Sequence, residues 1–374
     1  MSDSVGDWLE LVHDRYPPSE AAGWDNVGLQ VGDPAWPVAR VLVCLDVTGA
    51  VVEEAARIPG TLVLAHHPLL FRPLATLTPS TASGRTALAA ARAGVAVVAA
   101  HTNLDVARDG AGTSDPVVRV LDLQDVRPLT TDLRESGDLK LVTFVPPEAL
   151  DGVLDALASA GAGRIGDYER CSFRVNGTGT FRPLPGTDPY SGQGVGQAAA
   201  EDEWRLEVVL PRRRAGAVVA ALLAAHPYDE VAYDLYPLMA GAEVGLGRVG
   251  RLPDGGRPLA AVADAIRAGL PAPHLRFAGE PDRVVESVAV VGGAGDSHIG
   301  DALRAGADVY VTGDLRHHVT LDALEQGLCL VDAGHHATES AAMPTWIRRL
   351  ADEASDRGMT APVVASETPT SPWR

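Results

Sequence analysis

Short, Val-rich apolar runs recur along this chain, and several of them stop at a histidine. Residues 41–45, 61–65 and 95–100 form such runs early, and 288–291, 307–311 and 328–331 form them late. Runs of this length without polar alternation predict strands buried on both faces, as in parallel sheets. Between them, residues 51–57, 85–93, 299–305 and 320–326 have helical spacing. Strand–helix alternation predicts right-handed βαβ units on a mostly parallel sheet. The expected fold class is α/β, with two pseudo-symmetric βα halves around a shared cleft.

The middle of the chain has a different rhythm. Strand patterns at 139–145, 171–181, 204–210 and 231–236 enclose helical patterns at 147–160 and 212–225. This βαββαβ order fits a small α+β ferredoxin-like domain. Residues 184–200, rich in Gly, Pro, Ser and Gln, read as a loop. If the early and late histidines share one site, the middle is an insertion. The expected domains are then 1–125 with 238–374, and an inserted 126–237.

Composition narrows the class. The 374 residues are 46% hydrophobic and 21% charged, a globular balance in a chain long enough for two domains. No apolar stretch reaches the roughly 20 residues of a membrane span. The opening Met1-Ser2-Asp3-Ser4-Val5-Gly6-Asp7 lacks the basic and apolar regions of a signal peptide. Cys44, Cys171 and Cys329 are far apart and odd in number, as expected of reduced thiols. These features predict a cytoplasmic protein without membrane contact. A net charge of −18 disfavours a broad nucleic-acid face. Small anionic ligands stay admissible, because a bound divalent metal reverses the local field.

Candidate chemistry gathers at the strand ends. Seven of the eleven histidines lie in four clusters: His66-His67-Pro68, His101-Thr102-Asn103-Leu104-Asp105, Asp314-Leu315-Arg316-His317-His318 and Gly334-His335-His336-Ala337-Thr338-Glu339. The carboxyl ends of parallel strands are where open α/β sheets bind ligands. A turn at Pro68 would let His66 and His67 reach one cavity, and adjacent imidazoles suit two ions better than one. His335 and Glu339 share a helix face if a helix begins near Gly334. With Asp105 the set is three imidazoles and two carboxylates, enough for two divalent ions of the Zn, Mn, Fe, Co or Ni class. One carboxylate would bridge them, and Glu339 is the preferred candidate. Such a pair makes a nucleophile of a bridging water.

Other residues offer support. His101, His317 and His336 are candidates for proton transfer or for orienting ligands and substrate, with ordinary surface histidines as the plain reading. Asp314 and Asp332 would orient ligands or cap turns. Gly292-Gly293-Ala294-Gly295 would hold an anion on its N–H groups or form a tight turn. Trp24-Asp25-Asn26 would line the cleft or form a turn. Neither a Gly-x-Ser-x-Gly elbow nor a His-Glu-x-x-His helix occurs, which disfavours serine hydrolases and zincins.

Taken together, Trp24-Asp25-Asn26-Val27-Gly28-Leu29-Gln30, His66-His67-Pro68, His101-Thr102-Asn103-Leu104-Asp105, Thr312-Gly313-Asp314 and Gly334-His335-His336-Ala337-Thr338-Glu339 resemble the signature of the Nif-three-like dinuclear-metal family. Its members are also called GTP cyclohydrolase 1 type 2 homologues. The resemblance spans essentially the whole chain. It implies His66, His67, Asp105, His335 and Glu339 as the ligands of two divalent metal ions. It further implies a ring-shaped homohexamer whose metal sites face an internal cavity. Long members carry an insert resembling the PII and CutA proteins, matched here by residues 168–183 and by His226-Pro227-Tyr228-Asp229-Glu230. The implied activity is metal-dependent hydrolysis of a small molecule, GTP or another nucleotide, with nearby histidines transferring protons. A non-catalytic hexameric scaffold that senses metal or metabolite, regulated by the insert, is the alternative.

Overall fold

The computed structural model describes residues 3–106, 110–130, 138–165, 168–190, 194–238 and 245–373. Contacts divide the chain into one unit of Met1–Thr131 with Ala242–Arg374 and a second of Asp132–Gly241. The first unit opens with helix α1 (Val5–Arg15), where Ser4 and Asp7 cap each other's backbone N–H groups, and strand β1 (Gly28–Val31). It continues through β2 (Arg40–Cys44), α2 (Gly49–Ala56), β3 (Thr61–Ala65), α3 (Ala82–Ala93), β4 (Ala96–Ala99), α4 (Thr102–Asp105), α5 (Asp115–Leu121) and β5 (Gln124–Thr130). The second unit holds β6 (Asp138–Val145), α6 (Leu150–Ser159), β7 (Phe173–Phe181), β8 (Ala199–Pro211), α7 (Ala215–Ala225) and β9 (Tyr233–Pro237).

The first unit then resumes with β10 (Leu246–Arg251), β11 (Arg257–Pro258), α8 (Leu259–Gly269), β12 (Arg276–Ala278), β13 (Val284–Val285) and β14 (Ser287–Ala294). It ends with α9 (Ile299–Arg304), β15 (Val309–Gly313), α10 (His317–Glu325), β16 (Cys329–Asp332), α11 (His335–Ser340), α12 (Met343–Asp356) and β17 (Val363–Ala365). Among the described residues, no helix is long and apolar enough to cross a membrane.

The fold is mixed α/β with several sheets. One five-stranded sheet has the order β1-β4-β3-β2-β17, parallel except for β1 at its edge. A six-stranded sheet has the order β12-β16-β15-β14-β10-β5, in which the β16–β15 and β15–β14 pairs are parallel and the β12–β16, β14–β10 and β10–β5 pairs antiparallel. The expectation of mostly parallel strands therefore describes the first sheet. The second is half antiparallel, because β12, β10 and β5 flank its parallel centre.

The continuous apolar runs are explained by two cores on opposite faces of each sheet. Val41, Val43, Leu62 and Leu64 pack with Trp8 and Trp346 on one face, while Leu42, Cys44 and Val63 pack with Val51 and Val52 on the other. Likewise Val288 and Val290 face Leu259 and Ile266, and Ala289 and Val291 face Ile299 and Ala302. A strand buried on both faces has no position left for a polar residue until it emerges at its end.

In the second unit all neighbouring strands are antiparallel, in the order β7-β8-β6-β9. Leu141, Leu206, Val208 and Leu210 pack with Leu154, Leu157, Val218 and Leu222 of α6 and α7. The unit boundaries lie at 131/132 and 241/242, outside the expected 125/126 and 237/238. The reason is β5, which pairs with β10 from Leu246↔Thr130 to Arg251↔Gln124 and so belongs to the six-stranded sheet.

Strand β3 leads directly into His66 and His67, so its seating governs both. Leu64 is fully buried in one of the two cores. Leu64→Ala should lower stability by about 2–5 kcal/mol through lost transfer energy and the cavity left behind. Denaturant unfolding measures this, and a loss below about 1 kcal/mol would mean that the sheet does not depend on this contact.

Candidate metal centre

Both sheets of the first unit contribute to one cleft. His66 and His67 follow β3, His101 follows β4, and Asp105 closes the single turn of α4. His335 and Glu339 sit one turn apart on α11, which begins immediately beyond β16. His66 is fully buried and its Nδ1 lies 3.1 Å from the Ala100 carbonyl. That contact leaves Nε2 facing the cleft, 3.5 Å from Asp105 Oδ1 and 3.7 Å from Glu339 Oε1. His67 Nε2 stands 3.1 Å from Glu339 Oε2 and 3.4 Å from His335 Nε2. His335 Nε2 is 3.2 Å from Glu339 Oε1.

These spacings answer whether a metal fits. Ligand atoms sharing one tetrahedral ion at bond lengths of 2.0–2.1 Å stand about 3.3 Å apart. The observed separations scatter around that edge length. Two of the facing atoms, His66 Nε2 and Glu339 Oε2, are buried without a hydrogen-bond partner. Buried polar atoms are rarely left so in native folds. The donor set of imidazole nitrogens and carboxylate oxygens suits a divalent transition metal. Two overlapping groups, His66 with His67 and His101, and His67 with His335 and Glu339, are compact enough to hold an ion.

The imidazoles are held from behind. Asp46 accepts from His67 Nδ1 at 2.8 Å, Asp314 from His335 Nδ1 at 2.8 Å, and Asp25 from His101 Nδ1 at 2.9 Å. Each pairing sets the ring orientation and turns Nε2 toward the cleft. Burial works against a charged His67, but its hydrogen bond to Asp46 and the nearby Glu339 carboxylate outweigh it and raise the imidazole to about 10. The hydrogen bond with Glu339 raises His335 to about 9, against the opposing effect of burial. Burial disfavours ionised Glu339, yet the imidazoles of His335, His66 and His67 around it hold it well below the usual carboxylate range. Burial likewise opposes ionised Asp25, but His101 and Thr102 bring it down to about 2. Without metal the pocket therefore holds protons, and a cation that binds there displaces them.

Glycine makes room for this geometry. Gly293 has φ +73°, and a Cβ there would overlap Glu339 Oε1. Its N–H donates to Thr338 Oγ1 at 2.9 Å, and that of Gly292 to Ser114 Oγ at 3.2 Å. The Gly292-Gly293-Ala294-Gly295 segment thus spends these two N–H groups on side chains and leaves them closed to an anion. Asp314 also has positive φ, 57°, while holding His335. Strained backbone of this kind persists where the surroundings over-determine it.

The cleft in front of these residues has a volume of about 830 Å³. Trp24, Phe71 and Trp373 line its mouth, and His336 lies on its wall. The rings of Trp24 and Phe71 meet edge to face at 5.7 Å. The segment after β17 reaches the cleft because Glu54 binds it: its carboxylate accepts from Ser366 Oγ at 2.6 Å, Glu367 N at 2.9 Å and Thr368 Oγ1 at 2.6 Å.

Comparison with known proteins identifies the family. The model of the family described as Duf34/NIF3 (NGG1p interacting factor 3) matches residues 4–372. The chain belongs to the Duf34/NIF3 family. A protein of Halalkalibacterium halodurans named GTP cyclohydrolase 1 type 2 homolog is 40% identical over 368 residues, which cover 98% of this chain and 97% of the relative. A Mycobacterium tuberculosis protein of the same name is 39% identical over 380 residues, 100% of this chain and 97% of the relative. The crystal structure of a Bacillus cereus protein related to NIF3 is 36% identical with a TM-score of 0.70, covering 99% of this chain and 98% of that one. The Staphylococcus aureus protein SA1388 is 27% identical with a TM-score of 0.77, covering 100% and 99%.

Within this Duf34/NIF3 chain, His66, His67, His101, Asp105, His335, His336 and Glu339 line or enter one cleft. His317 does not join them. It opens α10, is exposed, and lines a separate cavity of about 290 Å³ with Arg276, Phe277 and Leu321. The expected helix at 320–326 begins three residues earlier, and this carries His317 onto the helix surface. Asp332 pairs with Arg276 at 2.7 Å and accepts from Gly334 N at 3.2 Å, a capping role. Asp46 was missed by sequence reasoning. Its signal was its place two residues beyond β2, the same strand-end location as the histidines.

Two substitutions test the geometry. Gly293→Ala should displace Glu339 and cost the protein at least one bound metal per chain while it still folds, read by elemental analysis and circular dichroism. Asp46→Asn should weaken metal binding by about 10–100-fold by loosening His67, read by competition with a chelator. Full occupancy and unchanged affinity in both would remove these residues from the account.

Proposed function

We propose that this protein holds two divalent metal ions on His66, His67, Asp105, His335 and Glu339, and that it is a metal-dependent hydrolase acting on a nucleotide-like substrate. The observation that carries this reading is the pair of buried, unpartnered atoms, His66 Nε2 and Glu339 Oε2, facing each other's residues across the two sheets. Glu339 touches all three imidazoles and is the carboxylate suited to bridging. Bound ions of this class supply an activated water and polarise the electrophile.

The remaining work falls to this chain's own residues. His101, oriented by Asp25, and His336 stand at the cleft wall, where an imidazole can accept and return a proton. Trp24, Phe71 and Trp373 offer flat apolar faces for a planar heterocycle. GTP is the substrate named by the relatives, and it enters here as the first candidate. The strand order of the second unit is that of a ferredoxin-like domain, which supports reading it as a PII/CutA-like insert. A homohexamer in the cytoplasm completes the proposal.

A second reading is favoured by one observation. The second unit has its own core and its own aromatic cavity, separate from the metal centre. A metal- or metabolite-sensing scaffold would use the two sites together without turnover. Protein loaded separately with Zn, Mn and Fe(II) is assayed for GTP ring opening, with Glu339→Ala as the blank. Metal-dependent product that disappears in the variant is the expected outcome. No product with any metal, while two ions stay bound per chain, would overturn the hydrolase reading for GTP and favour the scaffold.

A further inference from the structure

The second unit contains a cavity of about 510 Å³ that the metal chemistry does not use. Its walls are aromatic: Phe144 on β6, Phe181 at the end of β7, and Tyr190 with Tyr228, whose rings lie 5.6 Å apart. Glu201, Glu203, Asp229 and Glu230 line it as well. Glu201 and Glu203 project from β8 opposite Gly179 and Gly177 of β7. A Cβ at Gly179 would overlap the Glu203 carboxylate, so the bare strand is what lets Glu203 lie across it.

The cavity is built rather than incidental. Tyr228 donates its hydroxyl to Glu203 at 2.8 Å, and burial with the Glu203 contact raises the phenol so that it stays a donor. Asp229 accepts from Asp188 N at 3.2 Å and so ties the 183–190 loop, which lines the cavity, to the segment before β9. Nearby cations are committed elsewhere: Lys140 and Arg205 both pair with Glu207, at 3.0 and 2.9 Å. Arg182 lines the cavity, yet no ion pair among the described residues involves any of the four lining carboxylates.

We propose that this cavity binds a small organic cation, an ammonium or guanidinium head on an apolar body. The ring faces attract a cation within about 6 Å of their centroids, and the carboxylates supply the counter-charge. Arg205 already stands 6.0 Å from the Phe144 centroid, the same interaction at the edge of the site. An anionic nucleotide would meet four carboxylates at close range and be repelled. A bare divalent ion is disfavoured because, among the described residues, the compact metal-ligating groups are confined to the first unit. A flat, apolar-bodied cation uses both kinds of wall.

The test uses the full chain loaded with metal, titrated calorimetrically with argininamide and citrullinamide, both capped by Nα-acetylation so that the first is a cation and the second its neutral isostere. Argininamide should bind saturably and about tenfold or more tighter than citrullinamide, the range of one or two desolvated cation–ring contacts. Glu203→Gln and Tyr190→Ala should each weaken argininamide severalfold. Tyr190 is half exposed, so its variant keeps the fold and decides the matter if Glu203→Gln does not. Glu339→Ala should leave the affinity unchanged, which separates this site from the metal cleft. Equal affinity for the two probes, no saturable binding, or retained affinity in Tyr190→Ala would overturn the proposal.

Discussion

A carboxylate buried among imidazoles is the constraint on which the first unit depends. Glu339 is 4% exposed and rides on a helix that follows the six-stranded sheet, while His66 and His67 belong to the five-stranded one. An uncompensated buried anion is strongly unfavourable, so Glu339 requires positive charge, from His335 on its own helix and from His66 and His67 beside the other sheet. In the metal-free protein this comes from protons shared with the histidines. A bound cation would supply it instead, with the protons released. Either way, the two sheets meet through charge at this point as well as through packing.

The rigidity of the centre comes from residues one step removed from it. Asp46, Asp25 and Asp314 each hold one imidazole by Nδ1, and the Ala100 carbonyl contacts the fourth. All four imidazoles thus present the same nitrogen to the cleft. Asp314 does so from a left-handed backbone conformation. The Gly293 N–H to Thr338 Oγ1 ties the end of β14 to α11.

Much of this was legible in the sequence, and the limits have physical causes. The parallel strands were visible because both their faces are buried, which leaves uninterrupted apolar runs. The histidine clusters were visible because a run buried on both faces admits polar residues only where it ends. In the first unit, edge and antiparallel elements were not. β5 reads Gln-Asp-Val-Arg-Pro-Leu-Thr, mostly exposed, with Pro128 tolerated because the strand lies at the sheet edge. β17 spans three residues and is seated by a parallel partner, with no pattern of its own. His317 looked like a site residue because its cluster follows β15, but the helix starts sooner than its apolar spacing indicates. Asp46 carries no motif, and only the folded register brings it behind His67.

The twin faces of β3 have a consequence for how this protein can vary. Its residues alternate between two cores, and the strand delivers two consecutive histidines whose tasks differ: one is walled in beside Asp105, the other is shared between ion groups. Because strand periodicity is two, losing or gaining one residue between Thr61 and Ala65 would exchange every side chain between the cores. It would also swap the histidines' destinations. The exposed stretch between Phe71 and Thr81 carries no such burden. Insertions and deletions should therefore accumulate in that loop and be absent from residues 61–65, so that the spacing of this site is inherited as a length rather than as a composition.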